Sequence, residues 1–355
     1  MMKKNTVVIA GYYGFGNAGD ELLLRSLVDQ FRNQDPQCEL IALSNNPEET
    51  RRHFFIRAVN RWNPWAWIGP FSQAKRLLLG GGGLLQESTG PWNHAYYLLL
   101  IVLAKLFGCT TEVRSIGVDP IESRLNRGWT RWVFNHMVDS ISVRDVDSQR
   151  ALEAAGVFRS IVRIPDLVFQ LEMPQTGATA SEKIGFAISP WPQRMGWDQD
   201  VAFLLDRISQ QLNVSMELLV FFPEQDGPLA QQIAERCRAP VTVRQWQKVE
   251  DLLGWMPSYQ LVVGMRYHAL ALAALSEKPF VGWGFQRKVR SLCRDLGQPM
   301  WTFERGWEAD AVLRQIGEAW RQRDVLPHRY QTLLPALKMA TPTINDIPRI
   351  YPSHV

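Results

Sequence analysis

Short β-branched runs alternate with stretches of helical spacing along nearly the whole chain, and this alternation restricts the fold more than any other feature of the sequence. The first strand, Thr6 to Gly11, precedes a helix from Asp20 to Phe31 whose apolar positions are Leu23, Leu24, Leu27, Val28 and Phe31. Further strands are predicted at Leu40–Leu43, Arg76–Leu79, Val113–Val118, Ser140–Val143 and Ile161–Ile164, with helices such as Trp129–Met137 and Ser148–Ala155 between them. A second series places strands at Ile184–Ser189, Leu218–Phe222, Val241–Arg244, Leu261–Gly264 and Phe280–Trp283, and helices at Val201–Leu212, Leu229–Arg236, Ala269–Leu275 and Val289–Leu296. Strand and helix in strict rotation imply mostly parallel sheets covered on both faces, an α/β class. The small, polar segment 172–183 separates the series as a linker, giving two doubly wound domains, 1–171 and 184–340, facing a cleft, with a loose tail at 341–355.

A length of 355 residues suits two domains, and 46% apolar residues supply a core for each. The net charge of +4 is scattered, with no dense basic stripe, which argues against nucleic acid as a partner. Cys38, Cys109, Cys237 and Cys293 have neither metal-ligand spacing nor a disulfide framework and read as reduced thiols, so no metal is expected. Lys3 and Lys4 lead straight into the first strand without a small-residue cleavage site, so a cytoplasmic chain is expected. The most apolar run, Ala95 to Phe107, contains Lys105 and is too short to cross a bilayer; it reads as a buried helix.

Two glycine loops follow strands. Gly14-Phe15-Gly16-Asn17-Ala18-Gly19 has the dinucleotide-binding spacing, but Asp20 sets a carboxylate where a pyrophosphate would meet the helix, and Ser44-Asn45-Asn46 ends the second strand without a ribose-binding acid. The segment reads equally as a tight turn capped by Asn17 or Asp20, or as a loop in which Gly16, Asn17 and Gly19 line a substrate site. Gly80-Gly81-Gly82-Gly83 follows the strand at Leu79. A plain turn needs one or two glycines, so Gly81, Gly82 and Gly83 are candidates for close backbone approach to a ligand.

The densest cluster of candidate chemistry is Gly264-Met265-Arg266-Tyr267-His268, where a strand ends and an apolar helix begins. A helix start attracts anions, and Arg266 could add bidentate contacts to phosphate or carboxylate beside His268. Arg287, Lys288 and Arg290 follow the next strand end, and Arg144 ends a strand of the first half in the same way. Among fourteen Trp, the segment Arg61-Trp62-Asn63-Pro64-Trp65-Ala66-Trp67 reads as a loop, and Trp92, Trp191 and Trp197 also fall outside core periodicity. Trp62, Trp65 and Trp67 with Arg57 and Arg61 suit sugar faces or the headgroup region of a membrane.

Taken in order, GYYGFGNAGDELLL, LLLGGGGLLQEST, SIGVDP, SVRDVDS, IPDLVF and GMRYHALALAAL resemble the polysaccharide pyruvyl transferase family, specifically its CsaB-type enzymes, over residues 5 to about 290. The two halves also resemble the GT-B architecture, two Rossmann-like domains, here an acceptor side with the glycine loops and a donor side. The resemblance implies transfer of the pyruvyl group of phosphoenolpyruvate onto two hydroxyls of one sugar in a bacterial surface glycan or its lipid-linked precursor, forming a ketal and releasing phosphate, with no cofactor. It places His268 as general acid, Arg144, Arg266 and Lys288 on the donor, and Asp20 or Glu87 on the sugar hydroxyl. Where family members commonly carry Tyr-Asp-Pro, this chain has Gly284-Phe285-Gln286-Arg287. Peripheral contact with the cytoplasmic face of the inner membrane is also expected. Two other readings share these features: a GT-B glycosyltransferase using a nucleotide-sugar, and a non-catalytic glycan-binding sensor.

Overall fold

The structure is a computed structural model that describes residues 5–87, 91–174, 182–303 and 307–339. The chain divides into two compact units. One comprises residues 1–15, 20–171 and 337–355, and the other residues 16–19 and 172–336. Most of the expected linker, residues 175–181, and the expected tail, 341–355, lie outside the described residues.

The first unit is built on β1 (Thr6–Tyr13), β2 (Glu39–Ser44), β3 (Arg57–Asn60), β4 (Arg76–Gly80), β5 (Thr110–Ile116), β6 (Ser140–Val143) and β7 (Val162–Arg163), in the sheet order β3-β2-β1-β4-β5-β6-β7. The second carries β8 (Lys183–Ala187), β9 (Ser215–Val220), β10 (Val241–Gln245), β11 (Leu261–Gly264), β12 (Phe280–Gly284) and β13 (Met300–Thr302), ordered β10-β9-β8-β11-β12-β13. Neighbouring strands are parallel in both sheets. Both sheets therefore follow the doubly wound order in which the chain returns to the first strand and proceeds the other way. That reversal lies between β1 and β4 in one unit and between β8 and β11 in the other, so within each unit the loops after those two strands flank the position where a doubly wound sheet binds ligands.

The central strands are apolar because helices cover both of their faces: Val7 to Ala10 and Leu261 to Val263 are buried. Two edge strands do not announce themselves in the sequence. β3 is Arg-Ala-Val-Asn with both ends exposed, and β13 is three half-buried residues, so neither shows an apolar run. The expected loop around Trp65 is instead a helix, Trp65–Gln73. Asn63 and Pro64 start it, the Asn63 side chain accepting from the Trp65 N–H at 3.1 Å. At the far end, Gln170 Nε2 donates to the carbonyls of Leu337 and Lys338, which ties this last helical segment to the first unit. No helix among the described residues is long and apolar enough to cross a membrane.

Candidate active site

Two helix starts follow neighbouring strands of the second unit. The helix Tyr267–Leu275 leaves β11 through Met265 and Arg266, and Arg287–Asp295 leaves β12 through Phe285 and Gln286. Neither the Arg266 nor the Gln286 side chain makes a capping hydrogen bond at its own helix start, and a helix start is where backbone N–H groups and the helix dipole favour an anion. Arg266 holds the cap position of the first helix with His268 two residues on, and Lys288 lies in the opening turn of the second. Every residue of Tyr267–Leu275 except His268 is buried, which fixes the imidazole on a helix that cannot shift without opening the core.

Arg266 is not an isolated cation. Its Nε donates to Asp226 Oδ2 at 3.0 Å, and its Nη2 donates to Asp226 Oδ1 and to Gln225 Oε1. Asp226 is buried in the first turn of the helix Pro223–Arg236 and also accepts from the Phe222 N–H at 2.9 Å. Burial pushes its carboxyl above the usual carboxylate value against the opposing pull of Arg266. Nothing in the spacing of residues around Asp226 singles it out.

Gly16–Gly19 belong to this second unit. The Ala18 N–H donates to the Phe221 carbonyl at 2.9 Å, and Asn17 Oδ1 accepts from the Gly19 N–H at 3.1 Å, capping the helix that begins at Ala18. Gly19 packs on His268: a Cβ at Gly19 would stand 2.1 Å from the imidazole Nδ1. Gly16, with φ of +70°, turns the chain in a conformation that other residues rarely adopt.

In the first unit, Asp20 is buried against the second glycine loop, where a Cβ at Gly82 would come within 2.8 Å of its Oδ1. Gly81 and Gly82 have φ of +67° and +77°, and Gly80 leaves room for Leu27, so three of the four glycines answer to backbone and packing demands inside the unit. Gly83 meets only Gln86. Glu21, one residue after Asp20, is buried and accepts from the Gly14 N–H at 2.7 Å. Burial first, then the charges of Asp20 and Glu49, push its carboxyl up to about 8 despite that hydrogen bond.

Two other expected site residues are engaged elsewhere in the first unit. Glu87 accepts from the Glu122 and Ser123 N–H groups at 3.0 and 3.1 Å and from Asn126 Nδ2 at 2.7 Å, anchoring the start of the helix Arg124–His136. Burial alone would raise its carboxyl, but these three donors hold it below the usual value, which suits an anchor better than a base. Arg144 pairs with Asp145 at 3.1 Å and with buried Asp166 at 3.5 Å, and it packs on Gly117, where a Cβ would meet its Nη2 at 2.4 Å.

The sequence profile of the polysaccharide pyruvyl transferase family matches residues 17–284, three quarters of the chain, a span that includes Asp20, Arg144, Asp226, Arg266 and His268 but not Lys288. The chain belongs to the polysaccharide pyruvyl transferase family. It is accordingly a transferase that modifies polysaccharide. No curated protein sequence matches it significantly. Solved structures similar to it include MnaA of Staphylococcus aureus with UDP, at 11% identity, TM-score 0.63, covering 92% of this chain and 90% of that one. The UDP-GlcNAc 2-epimerase of Neisseria meningitidis bound to UDP-GlcNAc matches at 9% identity and TM-score 0.59, with 92% and 94% coverage. A glycosyltransferase from Rickettsia africae matches at 10% identity and TM-score 0.58, with 95% and 94% coverage. These likenesses show the fold, two Rossmann-like units of GT-B type.

In this pyruvyl transferase family member, three of the quoted motifs meet at one side chain. Arg144 of SVRD lies on Gly117 of SIGVDP and pairs with Asp166 of IPDLVF, which also caps the short helix Leu167–Gln170. The Trp residues divide. Trp67 and Trp197 are buried and Trp191 stacks on Phe303, so these serve the two cores, whereas Trp62, Trp65 and Trp92 are exposed. Arg61 is buried too, its Nη1 donating to the Gly11 carbonyl at 2.9 Å while the rings of Tyr12, Phe15, Trp62, Tyr96 and Tyr97 surround its guanidinium. The expected surface grouping of Arg61 with Trp62, Trp65 and Trp67 is therefore half internal. Its spacing in the sequence could not show that, because the Arg lies on a turn leading out of an edge strand.

Proposed function

We propose that this transferase takes the pyruvyl group of phosphoenolpyruvate and closes it as a ketal on two hydroxyls of one sugar in a surface glycan or its lipid-linked precursor. The observation that carries the reading is the pair of helix starts that follow β11 and β12, with Arg266, His268 and Lys288 on them, in a chain of this family. Phosphoenolpyruvate has a carboxylate and a phosphate, the two kinds of group that helix N-termini and guanidinium or ammonium donors hold. His268 acts as general acid. As one sugar oxygen bonds to C2 of the donor, His268 delivers a proton to the methylene carbon, which becomes the methyl group. The second sugar oxygen then bonds to C2, the C2–O bond to phosphate breaks, and phosphate leaves. The two hydroxyl protons balance the reaction: one replaces the proton taken from His268 and the other departs with phosphate or solvent.

Asp20 is the carboxylate we propose to orient a sugar hydroxyl, because the three donors on Glu87 engage it as an anchor of its helix; Arg144, expected on the donor, is paired with two carboxylates and is given no role in this reading. The experiment is a thermal shift with phosphoenolpyruvate set against UDP-sugars, followed by phosphate release with lipid-linked saccharides. Stabilisation by phosphoenolpyruvate and acceptor-dependent phosphate release support the reading. Stabilisation by a UDP-sugar alone moves the chain to glycosyl transfer, and binding of glycan without phosphate release makes it a sensor.

A further inference from the structure

Helix Arg124–His136 of the first unit exposes Leu125, Trp129 and Trp132 by 72%, 50% and 49%. Their spacing of four and three residues sets them in one line along the helix, while Thr130, Val133 and Phe134 occupy the buried side. Arg124 and Arg131 are exposed on one flank of that line, Arg127 lies further round and donates to the Ile121 and Glu122 carbonyls, and the helix has no acidic residue. The helix Pro91–Leu106 packs against it and exposes Trp92, Leu99 and Leu106 by 84%, 44% and 77%, spaced seven residues apart and so on one face.

Single exposed apolar residues are ordinary, but six large ones on two packed helices are not. We propose that these two helices form the surface by which the protein docks on an anionic lipid bilayer. Trp rings favour the headgroup region, arginine stems lie along apolar surface with the charge in the headgroups, and Arg124 and Arg131, on a helix without a carboxylate, complement anionic lipid. A second copy of the chain fits less well, because a two-fold contact through this face would bring Arg124 and Arg131 towards their own images. The surface differs from the Trp62 and Trp65 region, where the neighbouring Arg61 is buried and Trp67 belongs to the core. A few interfacial side chains give weak, reversible attachment.

The test is co-sedimentation of the full chain with phosphatidylcholine vesicles, with and without phosphatidylglycerol, and it requires neither donor nor acceptor, so its result is independent of the proposed chemistry. The wild type should bind the anionic vesicles, bind less as salt rises, and leave neutral vesicles largely alone. The double variant Trp129→Ser/Trp132→Ser, at two exposed positions, should lose about tenfold or more in vesicle affinity, and Trp62→Ser/Trp65→Ser should retain it. Equal binding by the wild type and the Trp129/Trp132 variant, no binding to anionic vesicles at all, or a self-association seen by sedimentation that the variant abolishes in place of vesicle binding would overturn the proposal.

Discussion

Asp226 grips Arg266 at two points from a helix start of its own, so the most prominent cation of the candidate donor site is oriented by a buried carboxylate. Deleting that carboxylate leaves a guanidinium, 19% exposed, without its counter-charge. Asp226→Ala is expected to cost about 3 kcal/mol, the lower end for breaking a buried pair, and to lower the melting temperature by several degrees. Adding Arg266→Met to that variant should recover part of the loss. A thermal melt of Asp226→Ala that superimposes on the wild type would show that the pair contributes nothing.

His268→Ala should lower turnover by about 10² to 10⁴ while leaving phosphoenolpyruvate binding near its wild-type value, as befits an acid that acts in the transition state. Gly19→Ala should reproduce much of this effect with His268 still present, because the added methyl carbon would stand 2.1 Å from Nδ1 and force the ring away. Single-turnover rates and donor titrations on both variants check the pair. Full turnover in a folded Gly19→Ala protein would mean that the observed imidazole position is not the working one.

Lys288→Ala should weaken phosphoenolpyruvate binding by about tenfold or more, the value of a charge-assisted contact, with little change in melting temperature. Lys288 stands in the first turn of its helix, where a positive charge opposes the helix dipole unless an anion is bound. Calorimetric titration decides it, and an unchanged dissociation constant would place the donor elsewhere.

Glu21 links stability to pH. Its folded value of about 8 lies above the ordinary carboxylate value, so folding takes up a proton between about pH 4.5 and 8. Its contribution to stability is complete below pH 4.5 and is lost as pH rises through 8, at up to about 1.4 kcal/mol per pH unit. Glu21→Gln copies the protonated form, so its melting temperature should match the wild type at pH 5 and exceed it increasingly towards pH 8.5. A constant gap across that range would exclude a titrating Glu21.

The sequence made the doubly wound class legible because the interior strands must be apolar on both faces, and their runs stand out against amphipathic helices. β3 and β13 escaped for the opposite reason: an edge strand with polar or half-buried residues has no such run. Arg266, His268 and Lys288 were readable because they follow strand ends, a place the fold defines. Asp226 lay on another helix and became visible only through its partner. Glu21 did leave a trace, since it extends the stripe of Leu24 and Val28 at helical spacing, which marks it as facing inward. The anchoring contacts of Glu87 were not legible, because a carboxylate after a glycine loop looks the same in sequence whether it holds a distant helix start or meets a substrate.

Gln170 reaches the carbonyls of Leu337 and Lys338 across separations of 167 and 168 residues. A nascent chain leaving the ribosome therefore completes the sheet of the first unit long before the segment that covers Gln170 has been made. The second unit can fold in the interval, between two parts of the first. The returning helix then binds late, against a surface already formed, and the loop it closes is long enough that each further residue adds little entropic cost.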